Sequence, residues 1–326
     1  MKIAIIGFGS IGKRHLSNLL KLGIQDIVLV STHIKDSTFD FNGYVLPVVS
    51  DVHNIIDSID AMVIANISSI HHKFIDLAIN NNIHVYVEKP LVCNLDNISD
   101  WSEKVNDKKL VIAVGTQFRF NERLMKLKEL LDQNYIGRVI SVMSTHGEHL
   151  ADYHPNEDYK NSYAAKKEEC GGILFTQIHH LDYLNWLFGS FSHVYASEML
   201  APSLDINADA IINYSLVSNE SNLQLHGHMN YVQRPKSTKL HVIGDKGEAY
   251  WDYEKNSLNV ISDNGNLLDE SSLERNNMFL MAIKDFLDSI RLSKLPKGNL
   301  KSGIESVKIV ESIKRSIVGK LVVAIA

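Results

Sequence analysis

The chain has 326 residues and a formal net charge of -5 at pH 7, and hydrophobic residues make up 45% and charged residues 22% of it. These proportions are typical of a globular protein and exclude a disordered or fibrous one, while the length suits two domains. The acidic balance without a long basic stretch excludes a nucleic-acid footprint, and no apolar run approaches a signal-peptide core or the ~20 residues of a membrane span. We therefore expect a cytoplasmic protein that binds a small molecule and neither nucleic acid nor a membrane.

Strand and helix patterns alternate through residues 1–117. Short apolar runs predict buried strands at 3–6, 27–30, 61–65, 83–87 and 110–114. Leucines at helical spacing predict a helix that ends near Gly23, and further helices are predicted at 73–80 and 95–105. Such alternation builds parallel βαβ units, so we expect an α/β fold with a doubly wound parallel sheet.

A glycine-rich turn, GFGSIG, lies between the first predicted strand and the first predicted helix. This is the position that a dinucleotide-binding turn requires. Gly7 permits the tight turn, Gly9 lets the backbone approach a pyrophosphate, and Gly12 allows close helix packing. We therefore assign cofactor contacts to Gly7, Phe8, Gly9, Ser10, Ile11 and Gly12; a purely structural turn is the alternative.

The second strand ends in Val30-Ser31-Thr32-His33, with Lys35 nearby. NAD enzymes of this type place a carboxylate at this strand end to bind the ribose 2′-hydroxyl. Small hydroxyl side chains and a basic residue stand here instead, which suits a 2′-phosphate. We expect Ser31 and Thr32 to contact NAD or NADP, and the pattern slightly favours NADP.

Glu88-Lys89-Pro90 directly follows a predicted buried strand. Doubly wound sheets bind their ligands at the carboxyl ends of the strands, so both charged side chains stand where a ligand is expected. Pro90 fixes the chain direction, and a cis peptide bond is one way to do so. The alternative is an exposed loop ion pair followed by a turn proline.

The order and spacing of several motifs resemble the Gfo/Idh/MocA oxidoreductases. These motifs are the glycine turn through His15, Asn66 to His71 with Ala78, Glu88-Lys89-Pro90, and Gly115 to Asn121. The resemblance implies a Rossmann domain over residues 1–117 and a substrate-binding and oligomerisation domain over 118–326, an α+β domain with a large open mixed sheet. It also implies that Lys89 is catalytic, that Glu88 helps to hold it, and that Asn66, His71, Glu88 and Lys89 lie at the cofactor.

The second half is rich in strand patterns, with predicted strands at 139–144, 194–198, 210–216, 223–229 and 239–243. Helices are predicted after Asn121 and at 278–290 and 304–317. The open sheet face that the resemblance implies needs a cover, and a homodimer or homotetramer provides one.

Residues 171–189 have the pattern of one helix that ends at Gly189, with His179 and Asp182 three residues apart on one face. A buried structural histidine is the alternative reading of His179, and the neighbouring His180 competes with it. The resemblance implies that His179 is catalytic. The acid that precedes this histidine in the family is missing, since Phe175 and Thr176 occupy its two candidate positions, which leaves the Thr176 hydroxyl as a substitute.

Further polar residues are candidates for substrate contacts. The segment 154–167 is polar, aromatic and long, and resembles the stretch that lines the pocket in relatives acting on cell-surface sugars. We expect substrate contacts from Arg119, Tyr163, Thr176 and Asp182; a solvated loop and a surface ion pair are the alternatives.

We expect no metal site. Cys93 and Cys170 stand in no metal-ligand spacing, and a disulfide framework is not expected from two cysteines. His146 with Glu148 and His149, and His226 with His228, lack a full set of further ligands.

The expected activity is reversible hydride transfer between the nicotinamide and a secondary alcohol of a sugar, cyclitol or sugar-derived acid, as in the metabolism of surface-polysaccharide sugars. His179 would accept the hydroxyl proton, and Lys89 would hydrogen-bond the same oxygen. Two alternatives stay open: redox-neutral elimination or glycoside cleavage on the same fold, and a non-catalytic nucleotide-binding sensor.

Overall fold

A computed structural model describes residues 1–96, 98–153, 158–219, 223–272 and 274–325. The strands are β1 Ile3–Ile6, β2 Ile27–Val30, β3 Thr38–Phe41, β4 Tyr44–Val49, β5 Ala61–Ile64, β6 His84–Val87, β7 Ile112–Val114, β8 Val139–His149, β9 Phe191–Met199, β10 Ile211–Ser218, β11 Gln224–Asn230, β12 Val232–Gly244, β13 Gly247–Asp252, β14 Ser257–Ser262, β15 Leu267–Glu270 and β16 Val323–Ala324. The α-helices are α1 Ser10–Lys21, α2 His71–Asn80, α3 Trp101–Asp107, α4 Glu122–Asp132, α5 Leu150–Tyr153, α6 Ile173–Thr176, α7 His179–Phe188, α8 Arg275–Leu292 and α9 Leu300–Gly319. Short 3-10 helices lie at Val52–Asn54, Ile56–Ser58, Ser68–Ile70, Gln117–Phe120, Tyr159–Asn161, Tyr163–Ala165 and Lys167–Glu169. None of the described helices is long and apolar enough to cross a membrane.

The chain divides into two compact units. Unit 1 comprises Met1–Gln117 and Arg275–Ile304, and unit 2 comprises Phe118–Glu274 and Glu305–Ala326. The segment Arg275–Ile304, which the sequence analysis assigns to the second domain, therefore clusters with the first.

Unit 1 is built on a seven-stranded sheet with the order β3-β4-β2-β1-β5-β6-β7. The neighbouring strands from β4 to β7 are parallel, and β3 alone pairs antiparallel, with β4. Every residue of β1, β2 and β5 is buried, as expected of parallel strands covered on both faces. The doubly wound sheet is confirmed. The β3–β4 hairpin was not predicted, since β3 alternates polar and aromatic residues over only four positions and Pro47 interrupts the apolar residues of β4.

Helix α8 packs onto the sheet and helices of unit 1. The ring of Phe286 lies 5.9 Å from that of Tyr86 on β6. Asn276 Nδ2 donates to Asn18 Oδ1 of α1 at 2.8 Å, and the Arg14 guanidinium lies over the ring of Phe279 at 4.4 Å. These contacts explain why this late segment belongs to unit 1.

Unit 2 is built on a nine-stranded mixed sheet with the order β15-β14-β13-β12-β8-β11-β10-β9-β16. β8 and β11 pair in parallel, and the other neighbours pair antiparallel. Helix α4 packs against β13 and β14, and α6 against β10 and β11. The expected α+β arrangement with a large mixed sheet is confirmed, although β13 to β15 were not predicted.

Three expectations are wrong in detail. Residues 171–189 form two helices, because the Thr176 hydroxyl donates to Gly172 O and the backbone at Gln177 leaves the helical region. Of the described residues in the predicted helix 95–105, those from Trp101 onwards are helical, as part of α3 Trp101–Asp107, and residue 97 lies outside the described residues. Before α3, Asn94 Oδ1 accepts from Asp96 N at 3.1 Å and competes with helix formation. Neither Cys93 nor Cys170 is a free thiol, although no disulfide framework was expected from these two cysteines.

Candidate functional site

The candidate cofactor site of unit 1 begins with the glycine turn between β1 and α1. Gly7 has a φ of +88°, and a Cβ there would lie 2.8 Å from Asn66 Cα. A Cβ at Gly12 would lie 2.4 Å from Gly7 O. Both positions therefore require glycine, which lets α1 start directly against the end of β1.

The N-terminus of α1 has the donor set that an anion needs. Its first helical hydrogen bond runs from Lys13 N to Gly9 O at 3.0 Å, so the N–H groups of Ser10, Ile11 and Gly12 have no helical acceptor. The N-cap residue is Gly9, so no N-cap side chain accepts a hydrogen bond from these N–H groups, and no acidic residue occupies the first turn. A Cβ at Gly9 would meet no described atom within 4 Å, so the backbone is open to close approach. These features fit a pyrophosphate group.

Phe8 and the residues that follow β2 lie beside the turn in unit 1. The Phe8 ring packs edge-on against Phe39 of β3 at 5.1 Å. Ser31 is buried and its Oγ accepts from His33 N at 3.3 Å, while Thr32 is exposed. Lys35 Nζ donates to Thr32 O at 3.1 Å. The end of β2 thus presents hydroxyl groups and an ammonium group.

Glu88, directly after β6, forms a buried pair with His15 of α1. His15 is fully buried, and its Nε2 donates to Glu88 Oε1 at 2.7 Å. Burial alone would raise the pKa of Glu88, but the hydrogen bond and charge of His15 and the charge of Lys89 lower it overall. Gly115 leaves room for the carboxylate, since a Cβ there would lie 3.0 Å from Oε1. Glu88 is therefore an ionised carboxylate in a fitted position.

His71 connects the loops that follow β5 and β6. Its Nδ1 lies 2.9 Å from Pro90 O and its Nε2 lies 3.3 Å from Asn66 O. Burial lowers the pKa of His71, so the ring is neutral and donates its single N–H to one of the two carbonyl groups. The ring has no exposed surface, so it holds the loops in place. Lys89, between Glu88 and Pro90, is partly exposed, and its peptide bond to Pro90 is cis.

In unit 2, a buried carboxylate lies on the inner face of β8. Alternation along the strand places His146 and Glu148 on the same face. Glu148 accepts hydrogen bonds from Gln177 Nε2 and from Lys236 Nζ, the latter at 2.7 Å, and His146 Nε2 lies 3.6 Å away. Burial would raise the pKa of Glu148, but the contacts with His146 and Lys236 lower it to about 2. This carboxylate is therefore ionised at neutral pH.

The two histidines at the start of α7 have different surroundings. The His180 ring lies 4.1 Å from the His146 ring, and its Nδ1 lies 3.1 Å from the Tyr183 hydroxyl. The His179 ring lies 5.4 Å from the ring of Phe118. His180 thus belongs to the same buried cluster as His146 and Glu148.

The predicted substrate residues are bonded within unit 2. Arg119 Nε and Nη2 each donate to the Asp182 carboxylate at 2.9 Å, and both residues are buried. Thr176 Oγ1 donates to Gly172 O at 2.8 Å and pairs with the Tyr231 hydroxyl. The Tyr163 hydroxyl lies 3.5 Å from that of Tyr153. Residues 154–157 of the expected substrate loop lie outside the described residues.

The sequence analysis did not select three residues that the structure brings into these clusters. His15 could have been selected from the sequence, because it is a polar residue on the buried face of α1 beside Leu16 and Leu19. The sequence gives no signal for Gln177 or Lys236. The position of Gln177 depends on the break between α6 and α7, and that of Lys236 depends on an irregular register in β12. His146 and Glu148 were weighed only as metal ligands, and the described residues include no group of three or more metal-ligating side chains placed to hold a metal ion.

Two models of one protein family match the chain. The first describes an oxidoreductase family with an NAD-binding Rossmann fold and matches residues 1–116; the second describes the C-terminal alpha/beta domain of that family and matches residues 128–325.

Individual proteins match over nearly the whole length. An inositol 2-dehydrogenase/D-chiro-inositol 3-dehydrogenase of Lacticaseibacillus casei is 24% identical over 322 residues, which cover 91% of this chain and 86% of the relative. A myo-inositol 2-dehydrogenase of Thermotoga maritima is 22% identical over 331 residues, which cover 97% of this chain and 96% of the relative. A solved structure of levoglucosan dehydrogenase with NADH has a TM-score of 0.87 at 18% identity, covering 100% of this chain and 99% of its own. The structural likeness concerns the fold.

Gly9→Ala tests whether the turn binds a dinucleotide. The added methyl group meets no described protein atom within 4 Å, so the melting temperature should stay at the wild-type value. The methyl group should keep the pyrophosphate from the backbone and so remove a hydrogen bond to a charged group, which contributes about 1.5–3 kcal/mol. The Kd for NADH and NADPH should therefore rise about tenfold or more in a fluorescence titration. Gly12→Ala, whose methyl group collides with Gly7 O, should lower both melting temperature and affinity. Wild-type affinity in Gly9→Ala would refute the assignment.

Proposed function

The chain belongs to the Gfo/Idh/MocA family of oxidoreductases, and from this membership we propose that it transfers a hydride between a nicotinamide dinucleotide and a secondary alcohol of a cyclitol or sugar. The single observation that carries the proposal is the fixed Glu88-Lys89-Pro90 loop at the carboxyl end of β6 in a unit with a dinucleotide turn. Ligands of doubly wound sheets bind at such strand ends.

The residues have separate roles in the proposed reaction. Gly7 to Gly12 hold the pyrophosphate of the dinucleotide, which supplies the hydride chemistry when bound. Lys89 donates a hydrogen bond to the reacting oxygen and stabilises the negative charge that develops there. His179 accepts the hydroxyl proton during oxidation and returns it during reduction.

His179 is preferred to His180 as the base because His180 already serves a buried cluster. The His180 ring is packed against His146, and its Nδ1 lies at the Tyr183 hydroxyl. Arg119 and Asp182 bind each other, so we assign them the task of holding the first turn of α7. Thr176 holds the preceding helix through Gly172 O, and Tyr163 offers a hydroxyl group to a substrate hydroxyl.

The substrate class follows from the relatives and from the polar groups of unit 2. Two relatives are named as inositol dehydrogenases, and a structural neighbour is named as a levoglucosan dehydrogenase. Cyclitols and sugars present several hydroxyl groups, for which Tyr163, Lys236 and Glu148 provide donors and acceptors. Sugars of surface polysaccharides belong to the same chemical class and form part of the proposed range.

Lys89→Ala and His179→Ala test the catalytic roles. The assay measures NAD(P)H formation with myo-inositol, D-chiro-inositol, levoglucosan and a panel of sugars and sugar acids. General acid–base groups contribute about 10²–10⁴-fold, so each variant should lose turnover by at least about a hundredfold and keep its affinity for NADH.

Lys73→Ala and His193→Ala, at exposed positions, are the matched controls and should keep wild-type turnover. Full activity in both Lys89→Ala and His179→Ala would refute the assigned roles. A converted substrate without net change in NAD(P)H would favour the redox-neutral alternative, and dinucleotide binding without any conversion would favour the sensor.

We further propose that the cofactor is NADP. The support is the hydroxyl and ammonium groups of Ser31, Thr32 and Lys35 at the end of β2, which suit a 2′-phosphate. NADPH should bind more tightly than NADH, and Lys35→Ala should weaken NADPH binding while leaving NADH binding unchanged. Titration of both dinucleotides measures this, and tighter binding of NADH would overturn the proposal.

The outer face of the nine-stranded sheet supports a homo-oligomer. Register places Tyr250, His241, Met143, His226, Ser215 and Tyr195 in one row across six strands. Met143 is 41%, Tyr195 48% and Tyr250 42% exposed in the single chain. A second copy would bury these side chains, since an exposed apolar sheet face favours association.

Met143→Glu tests this interface. The wild-type protein should sediment as a dimer or tetramer, and the glutamate at the middle of the face should shift it to the monomer, because an unpaired charge is costly to bury. Met281→Glu, at a residue of α8 that is 46% exposed, is the control and should leave the association unchanged. A wild-type monomer at micromolar concentration would contradict the proposal.

A further inference from the structure

We propose that His15 is a positioning residue for Lys89, and that it relays the placement of the dinucleotide-binding helix α1 to the catalytic loop through Glu88. The inference rests on the proposed role of Lys89. It adds to that role a contact that connects residues 73 positions apart in the chain.

The first support is the position of His15 on α1. It lies on the buried face that also carries Gly12, Leu16 and Leu19. Its Nε2 donates to Glu88 Oε1 at 2.7 Å, and its ring packs edge-on against Tyr86 at 5.0 Å. The same helix begins at the turn that would hold the pyrophosphate, so His15 is rigidly connected to that turn.

The second support is the fixation of Glu88 in both its backbone and its side chain. Glu88 N donates to Ile64 O at 2.9 Å, and the carboxylate lies against Gly115, where a Cβ would approach Oε1 to 3.0 Å. A displacement of His15 is therefore passed to a residue that has little room to adjust. Lys89 is the next residue in the chain.

The third support is a matching anchor on the other side of Lys89. His71 lies 2.9 Å from Pro90 O and 3.3 Å from Asn66 O, and Gly7 is packed against the backbone of Asn66. Both neighbours of Lys89 are thus held by buried imidazole rings, and both rings connect back to the glycine turn. This arrangement is more specific than an ion pair that only stabilises the fold.

Energetic reasoning also favours a positioning role. Burying an ionised carboxylate and an imidazole costs free energy that packed apolar side chains would not require. His15 Nδ1 has no hydrogen-bond partner among the described residues, which adds to that cost. Reaction rates depend strongly on placement, and a displacement of about 1 Å can reduce a rate about a hundredfold. A buried polar pair that costs stability is therefore consistent with a role in placing Lys89.

The test compares two substitutions of His15. The amide nitrogen of His15→Gln can reach the position of Nε2 and donate to Glu88, whereas His15→Asn is too short to reach it. His15→Asn should reduce kcat about tenfold to a hundredfold with KM and the NADH Kd within about twofold, and should increase the deuterium isotope effect on kcat with deuterated NADPH or NADH. His15→Gln should recover most of this loss.

A double-mutant cycle and a structural control complete the kinetic test. His15→Asn combined with Glu88→Gln should be no slower than the slower single variant, because both remove one contact. Val111 N donates a hydrogen bond to His84 Nδ1 on β6. His84→Gln removes this bond and should leave kcat unchanged. Equal losses in His15→Asn and His15→Gln, or additive losses in the cycle, would overturn the inference.

Hydrogen–deuterium exchange tests the same contact without turnover. NADH or NADPH should slow exchange in the peptide over residues 85–92 of the wild type and of His15→Gln, but much less in His15→Asn. The same slowing in His15→Asn would overturn the inference whatever the activity. If the inference holds in this measurement and Lys89→Ala keeps full activity, the proposed function fails and the relay stands as a structural one.

Discussion

The close approach of α1 to the end of β1 is the constraint on which the candidate site depends. At Gly12 the helix lies so near Gly7 O that a single methyl group would not fit. This approach places the start of α1, whose first N–H groups have no helical acceptor, beside the end of β1, where a phosphate can bind. It also brings the buried face of α1 over β6, where His15 reaches Glu88. One steric condition therefore sets both the anion site and the position of the loop that carries Lys89.

Local features of the site could be predicted from the sequence, because their cause lies within a few residues. The glycine turn requires only a strand, three glycines and a helix, and the Glu88-Lys89-Pro90 loop requires only a preceding buried strand. The His15–Glu88 pair was missed although both residues were noted, since no spacing rule connects positions on different elements. Strands β3 and β13 to β15 were missed because polar residues interrupt their short apolar stretches, and β4 was missed because Pro47 interrupts its apolar residues.

In unit 2, hydrogen bonds between side chains that are distant in sequence limit which site residues can be predicted from the sequence. Arg119 and Asp182 have the residue types of a substrate clamp, yet they neutralise each other across 63 positions of chain. Thr176 occupies one of the two positions at which the resemblance implies an acid, and its hydroxyl donates to Gly172 O and pairs with the Tyr231 hydroxyl. A buried carboxylate is nevertheless present, since β8 supplies Glu148 to the cluster that contains His180. The sequence therefore indicated which residue types occur in unit 2 but not which of them pair with each other.

The assignment of Arg275–Ile304 to unit 1 affects how the protein is made. During synthesis the strands of the first sheet emerge early, but α8, which carries the Phe286 that packs on Tyr86, follows only after β8 to β15 have been translated. Until α8 has been translated, part of an apolar face of the nascent nucleotide-binding sheet stays uncovered. A fragment that stops at residue 117 would keep this defect permanently. Unit 1 is therefore completed only after most of unit 2 has been translated.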